Sequence, residues 1–82
     1  MEDVVINGMY QHYKKKHHYK VIGVAWHSET LEEMVVYQAL YDTGERFGKD
    51  AIWVRPKKMF LETLNIEGAS MPRFKLIRDE QH

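Results

Sequence analysis

The 82-residue sequence predicts an all-β fold, a small barrel or sandwich of five or six antiparallel strands in a single domain. Three observations carry that prediction. Short apolar or aromatic runs recur roughly 8 to 12 residues apart, with Gly, Asn, Asp and Ser between them. Residues 19 to 27 alternate as an extended strand does. The one stretch with helical spacing, Leu31, Met34 and Val35 behind a Thr30–Glu33 capping pattern, runs into Val35-Val36-Tyr37, which is β-branched and aromatic and favours a strand.

The elements follow in order. Asn7-Gly8 makes a turn. Residues 9 to 14 carry Tyr10 and Tyr13 and lead to a polar tip, Lys14-Lys15-Lys16-His17-His18. Tyr19 to His27 is the clearest strand: Tyr19, Val21, Gly23 and Ala25 share one face, and Lys20, Ile22, Val24 and Trp26 the other. Both faces are largely apolar, as in a barrel or a covered sheet, and the pieces around the tip form a hairpin. A turn is expected at residues 28 to 32 and a strand at about 33 to 41. Residues 42 to 50 form a loop holding Gly44 and Gly48. Ala51 to Arg55 is a short strand stopped by Pro56, which has no N–H for a ladder and opens a short helical turn at Lys57 to Phe60. Leu61 to Ile66 is a further strand, Glu67-Gly68-Ala69-Ser70 a turn, and Arg73 to Ile77 the last strand. Residues 1–7 and 78–82 are expected to fray.

Twelve Lys and Arg balance twelve Asp and Glu, so no global field draws nucleic acid or anionic lipid to the chain. Cysteine is absent, which excludes a disulfide, a thiolate nucleophile and Cys-ligated zinc, and the expected setting is cytoplasmic. The acidic start, Met1-Glu2-Asp3, followed by only Val4-Val5-Ile6, is no signal peptide, and no apolar run approaches the roughly 20 residues a bilayer needs.

Chemistry-bearing residues are few. His27-Ser28-Glu29 holds the letters of a triad, but neighbours in extended chain point to opposite faces; Ser28 is expected to bond turn backbone, and no catalytic residue is assigned. His12, His17, His18 and His27 match no zinc spacing. A hairpin over residues 9 to 27 that brought His12 to His27 is the arrangement in which a carboxylate would complete a metal site; neither metal nor cofactor is assigned. The scattered glycines form no phosphate loop. Residues 10 to 20 hold three tyrosines, four lysines, three histidines and no acid, while Arg55, Lys57 and Lys58 flank Trp53, a mixture that suits single-stranded nucleic acid. Tyr10, Tyr37, Trp53 and Phe74 either line a groove for an extended protein segment or fill the core.

Five blocks stand in order: Tyr10-x-His12-Tyr13-Lys14; Gly23-Val24-Ala25-x-His27-Ser28-Glu29-Thr30; Val35-Val36-Tyr37-x-Ala39-Leu40-Tyr41; Trp53-Val54-Arg55-Pro56-x-x-Met59-Phe60; and Pro72-Arg73-Phe74. Their order and spacing resemble a family of short bacterial proteins, domain of unknown function 1653, over about residues 8 to 77. The chain departs from that pattern by a longer loop at Asp42 to Asp50, with an insertion around Arg46 to Lys49. The resemblance implies an SH3-like barrel and a strand at 33 to 41. It implies no activity, cofactor or catalytic residue.

Among the residues of those blocks, His12, His27, Glu29, Tyr37, Arg55 and Arg73 are costly to bury unpaired. In one reading Arg55 or Arg73 pairs with Glu29 and stitches loops together. In the other, a polar pocket lined by Tyr10, Tyr37 and Trp53 accepts an anionic or planar ligand. A non-catalytic module that binds a protein segment ranks first, because charge is balanced. The alternatives are an RNA- or DNA-binding module using Lys14, Lys15, Lys16, Lys20, Lys57 and Lys58, and a small-ligand or enzymatic pocket around His12, His27 and Arg55.

Overall fold

The computed structural model describes residues 4–78. The described residues are mainly β, with seven strands and one helical turn: β1 (Met9–His12), β2 (His18–Trp26), β3 (Glu33–Ala39), β4 (Ile52–Pro56), α1 (Lys57–Phe60), β5 (Thr63–Ile66), β6 (Ala69–Pro72) and β7 (Phe74–Arg78). Five strands form one antiparallel sheet in the order β4-β3-β2-β1-β7. β5 and β6 form a separate hairpin.

Among the described residues the sheet does not close into a barrel, because β4 and β7 remain its two edges. Side chains rather than hydrogen bonds bridge its concave side. Alternate β3 residues Val35, Tyr37 and Ala39 are buried there together with Tyr10, Val21 and Phe74. Phe60, delivered by α1, is 1% exposed and stacks on Phe74 at 4.2 Å with 6° between the ring planes. Pro56 sets this up. It ends β4 opposite Met34, on an edge strand where its missing N–H costs no ladder bond, and the helical turn begins at the next residue.

Two local features depart from the sequence expectations. The register of β2 against β3 slips between Val21 and Gly23, so Val21 faces Tyr37 but Val24 faces Val35 and Trp26 faces Glu33. The bulge breaks the simple alternation read for residues 19 to 27 and sets Val24 opposite buried Val35, while Val24 and Trp26 stay exposed (37% and 65%) toward the end of β2. Nothing among the described residues covers the outer face, where Ile52 and Val54 are more than half exposed. The second feature is β6, which occupies Ala69 and Ser70 where a longer turn was expected. The turn is only Glu67-Gly68, both at positive φ (51° and 83°), which is a two-residue hairpin turn with Glu in the place usually taken by Asn or Asp.

Residues 4 to 7 are tied down rather than frayed. Val5 N–H donates to Tyr10 Oη (2.9 Å), Asn7 N–H to the Val21 carbonyl (2.8 Å), and Val4 and Ile6 pack on the core. Arg78 pairs with Met9 in β7. The remaining terminal positions, 1–3 and 79–82, lie outside the described residues.

Candidate ligand-binding cleft

β2 begins, β3 ends and β4 begins at the same end of the sheet, so the β1–β2 tip and the β3–β4 loop sit side by side there. The loop is built by its own backbone. Thr43 N–H and Oγ1 both donate to the Gly48 carbonyl (2.9 and 2.7 Å), and Gly48 N–H donates to the Gly44 carbonyl (2.7 Å). Gly44 and Gly48 supply the positive φ values (106° and 72°) that this reversal needs. The loop places the Phe47 ring edge-on to Trp53, with centroids 4.9 Å apart.

Between tip and loop lie two cavities that share Tyr41 and Trp53 as walls. The outer one, about 370 Å³, is lined by Lys15, His17, Asp42, Thr43 and Phe47 in addition to those two. The inner one, about 210 Å³, is lined by Tyr19, Tyr37, Tyr41, Trp53 and Arg55. Tyr19 and Tyr41 hydrogen-bond through their hydroxyls at 2.5 Å, and His17 lies over the Tyr41 ring at 4.0 Å. Burial first, then the hydrogen bond to Tyr41, pushes the Tyr19 hydroxyl well above its ordinary pKa, so it keeps its proton at physiological pH.

Arg55 forms the floor. Its Nε–H donates to Tyr37 Oη in a long bond of 3.3 Å, and its guanidinium carbon sits 5.4 Å over the Phe74 ring. Among the described residues no carboxylate pairs with it. His12, edge-on to Phe74 at 5.0 Å, has its pKa lowered by burial and then by the positive charges of Arg55 and Arg73. Its Nδ1 accepts Lys14 N–H (3.2 Å), consistent with a neutral ring. His12 itself lines a third cavity of about 300 Å³ on the other side of the tip, with Tyr13, Met71, Pro72 and Lys75.

Of the eight residues singled out as ligand-binding, the structure brings Tyr37, Trp53 and Arg55 together in one cleft. The others lie elsewhere. Tyr10 is 3% exposed and belongs to the core, edge-on to Phe60, and Phe74 is core as well; a core this small needs these rings. His27 and Glu29 lie in the β2–β3 turn at the opposite end of the sheet. His27 Nδ1 accepts the N–H groups of Glu29 and Thr30 (3.1 and 3.2 Å), so His27, not Ser28, organises that turn. The hairpin sets His12 opposite His17 rather than His27, and no group of three potential metal ligands converges among the described residues. Arg73 does stitch segments together, but to Glu62 (2.6 Å) and the Met59 carbonyl (3.1 Å) rather than to Glu29. The lysines form no continuous track. Lys14, Lys15 and Lys16 are exposed at the tip, Lys20 pairs across to Gln38 within the sheet, Lys57 is bonded to Glu33 at the far end, and Lys58 is exposed beside it.

Sequence reasoning missed Tyr19, Tyr41 and Phe47 as cleft residues. For the tyrosines a signal existed: Tyr37, Ala39 and Tyr41 share a strand face, and an antiparallel neighbour starting at Tyr19 would meet it. Phe47 lay in a loop whose length departs from the five-block pattern, and nothing in the sequence aims it at Trp53.

The model of a family described as proteins of unknown function, DUF1653, matches residues 8–76. This chain belongs to the DUF1653 family. A crystal structure of a DUF1653 protein from Bordetella bronchiseptica has the same fold, with a TM-score of 0.75 at 30% identity over 93% of this chain and 91% of that one. No curated protein matches the chain. DUF1653 membership therefore supports the mainly β fold and assigns no residue a role. Among the described residues no helix is long and apolar enough to cross a membrane.

Proposed function

We propose that this DUF1653 protein is a non-catalytic binding module whose ring-lined cleft takes a segment of another protein. The observation that carries the reading is the pair of contiguous cavities walled by Tyr19, Tyr41, Phe47 and Trp53 on a sheet end. Aromatic walls give large contact area at little conformational cost, and two cavities in a row suit successive side chains of an extended segment. The strand order, with one helical turn between β4 and the final edge strand, supports treating the sheet as an open SH3-like barrel into which the β5–β6 hairpin is inserted. A bacterial cytoplasmic setting belongs to the same proposal, supported by the Bordetella relative and the absence of cysteine. Protein is favoured over nucleic acid because the lysines are split between opposite ends of the sheet and Asp42 lines the outer cavity, where a polyanion would be repelled.

Selection from a random peptide display library tests this. A consensus segment should emerge, and Trp53→Ala should lose it while keeping its circular dichroism spectrum. Enrichment of nothing, or equal capture by Trp53→Ala, would defeat the reading. Titration with a labelled single-stranded oligonucleotide is the counter-test: tight binding that falls steeply with salt would shift the assignment to nucleic acid.

A further inference from the structure

We infer that the inner cavity is a carboxylate site, in which the two terminal nitrogens of Arg55 grip an acidic side chain or free C-terminus of the bound segment. The inference rests on the cleft being the binding surface and names what it recognises. A guanidinium has five N–H donors, and in Arg55 only Nε–H has a protein partner among the described residues. Because Nε–H is committed to Tyr37, the side-on fork is used up and the end-on fork of Nη1 and Nη2 remains. That fork matches the two oxygens of a planar carboxylate.

The surroundings point the same way. Tyr37 Oη accepts from Arg55, so its own proton remains to be donated into the cavity. In the Tyr19–Tyr41 pair one hydroxyl donates and the other keeps a proton to give. The inner cavity is therefore lined by aromatic rings and hydrogen-bond donors, with no carboxylate of its own. At about 210 Å³ it holds about seven water volumes, room for one short side chain or chain end. One guanidinium meets one carboxylate charge for charge. A phosphodiester strand would need further cations, and the next cavity offers Lys15 together with an opposing Asp42.

The probe pair is 3-phenylpropionate and its neutral isostere 3-phenylpropionamide, followed by the Trp53 indole and Arg55 Nε–H resonances of the whole protein. The carboxylate should bind saturably and about tenfold or more tighter than the amide. Arg55→Lys, which keeps the charge but loses the fork, should weaken it about tenfold, and Arg55→Gln should abolish it. Backbone spectra of both variants report whether the fold persists. Equal binding of acid and amide, or unchanged binding by a folded Arg55→Gln, would overturn the inference. Phenyl phosphate binding tighter than the carboxylate would overturn the choice of anion. Peptides selected from the display library separate the two levels: a consensus without Asp, Glu or dependence on a free C-terminus removes the carboxylate site and leaves segment binding standing. Acid binding without any selected segment does the reverse. Amidated and free-ended versions of a selected peptide then distinguish a side chain from a chain end.

Discussion

The floor of the cleft and the junction between β6 and β7 each hold one half-buried arginine, and the two are spent differently. At the junction, Arg73 bonds Glu62 through Nη2 and the Met59 carbonyl through Nε, clamping the chain after α1 to the start of β7. In the cleft, Arg55 gives one long bond to a phenol and faces no acid among the described residues. The contrast extends to the rings nearby. Phe60 and Phe74 stack in the core, whereas Phe47 and Trp53 meet over a cavity. A closed network accounts for its own polar groups and adds stability; an open one keeps donors in reserve and is where a guest gains affinity.

The comparison breaks most visibly at the rings. Phe60→Ala empties a fully buried, stacked position and should cost about 3–5 kcal/mol. In a domain of this size that lowers Tm by at least about 12 °C, readable by calorimetry. Trp53→Ala removes a ring that only partly packs on the core and should cost clearly less while eliminating segment capture. If the two substitutions destabilise equally, Trp53 is structural and the distinction between the regions fails.

The arginines sharpen it at smaller scale. Arg73→Ala removes one ion pair to a half-exposed glutamate and one bond to backbone, for about 1 kcal/mol of stability in urea unfolding, with peptide capture intact. Arg55→Gln should change stability by less, since it deletes a partly desolvated cation that has no anion, and should cost capture instead. A folded Arg55→Gln that captures peptide normally would leave the two arginines equivalent.

Much of this contrast was out of reach of the sequence for physical reasons. Strand positions were legible because alternation and β-branched runs are local, and the helical turn was legible because Pro56 fixes where β4 ends. The slip at Ile22 was not, since register is a property of two strands and only one is visible in any stretch of sequence. The β5–β6 turn was masked by Glu67 adopting a backbone region that side chains rarely enter. At the site, chemistry alone points to Tyr37, Trp53 and Arg55, which meet in space, but it points equally to Tyr10 and Arg73, which lie elsewhere. Ring type does not reveal burial, and an arginine's letter does not reveal its partner. Glu62 became Arg73's partner because the β5–β6 hairpin returns the chain to it, a long-range fact.

The smallest expected effect joins the two regions through His12, which feels both arginines. Burial comes first in lowering its pKa, Arg55 second and Arg73 third, followed by His17 and Lys14. In the unfolded chain the imidazole has its ordinary pKa of about 6.5. Between that value and the lower folded one, the unfolded state binds more protons, so stability falls as pH is lowered through this window and is level above it. His12→Gln should remove that slope from urea titrations. Arg55→Gln should reduce it in part, leaving the contribution of burial, and Arg73→Ala should reduce it less. Saturation with 3-phenylpropionate should raise the His12 pKa followed by NMR in the native protein and leave it unmoved in Arg55→Gln. A His12 titration indifferent to the carboxylate while the Arg55 resonance shifts would mean that the ligand's charge does not sit on the guanidinium.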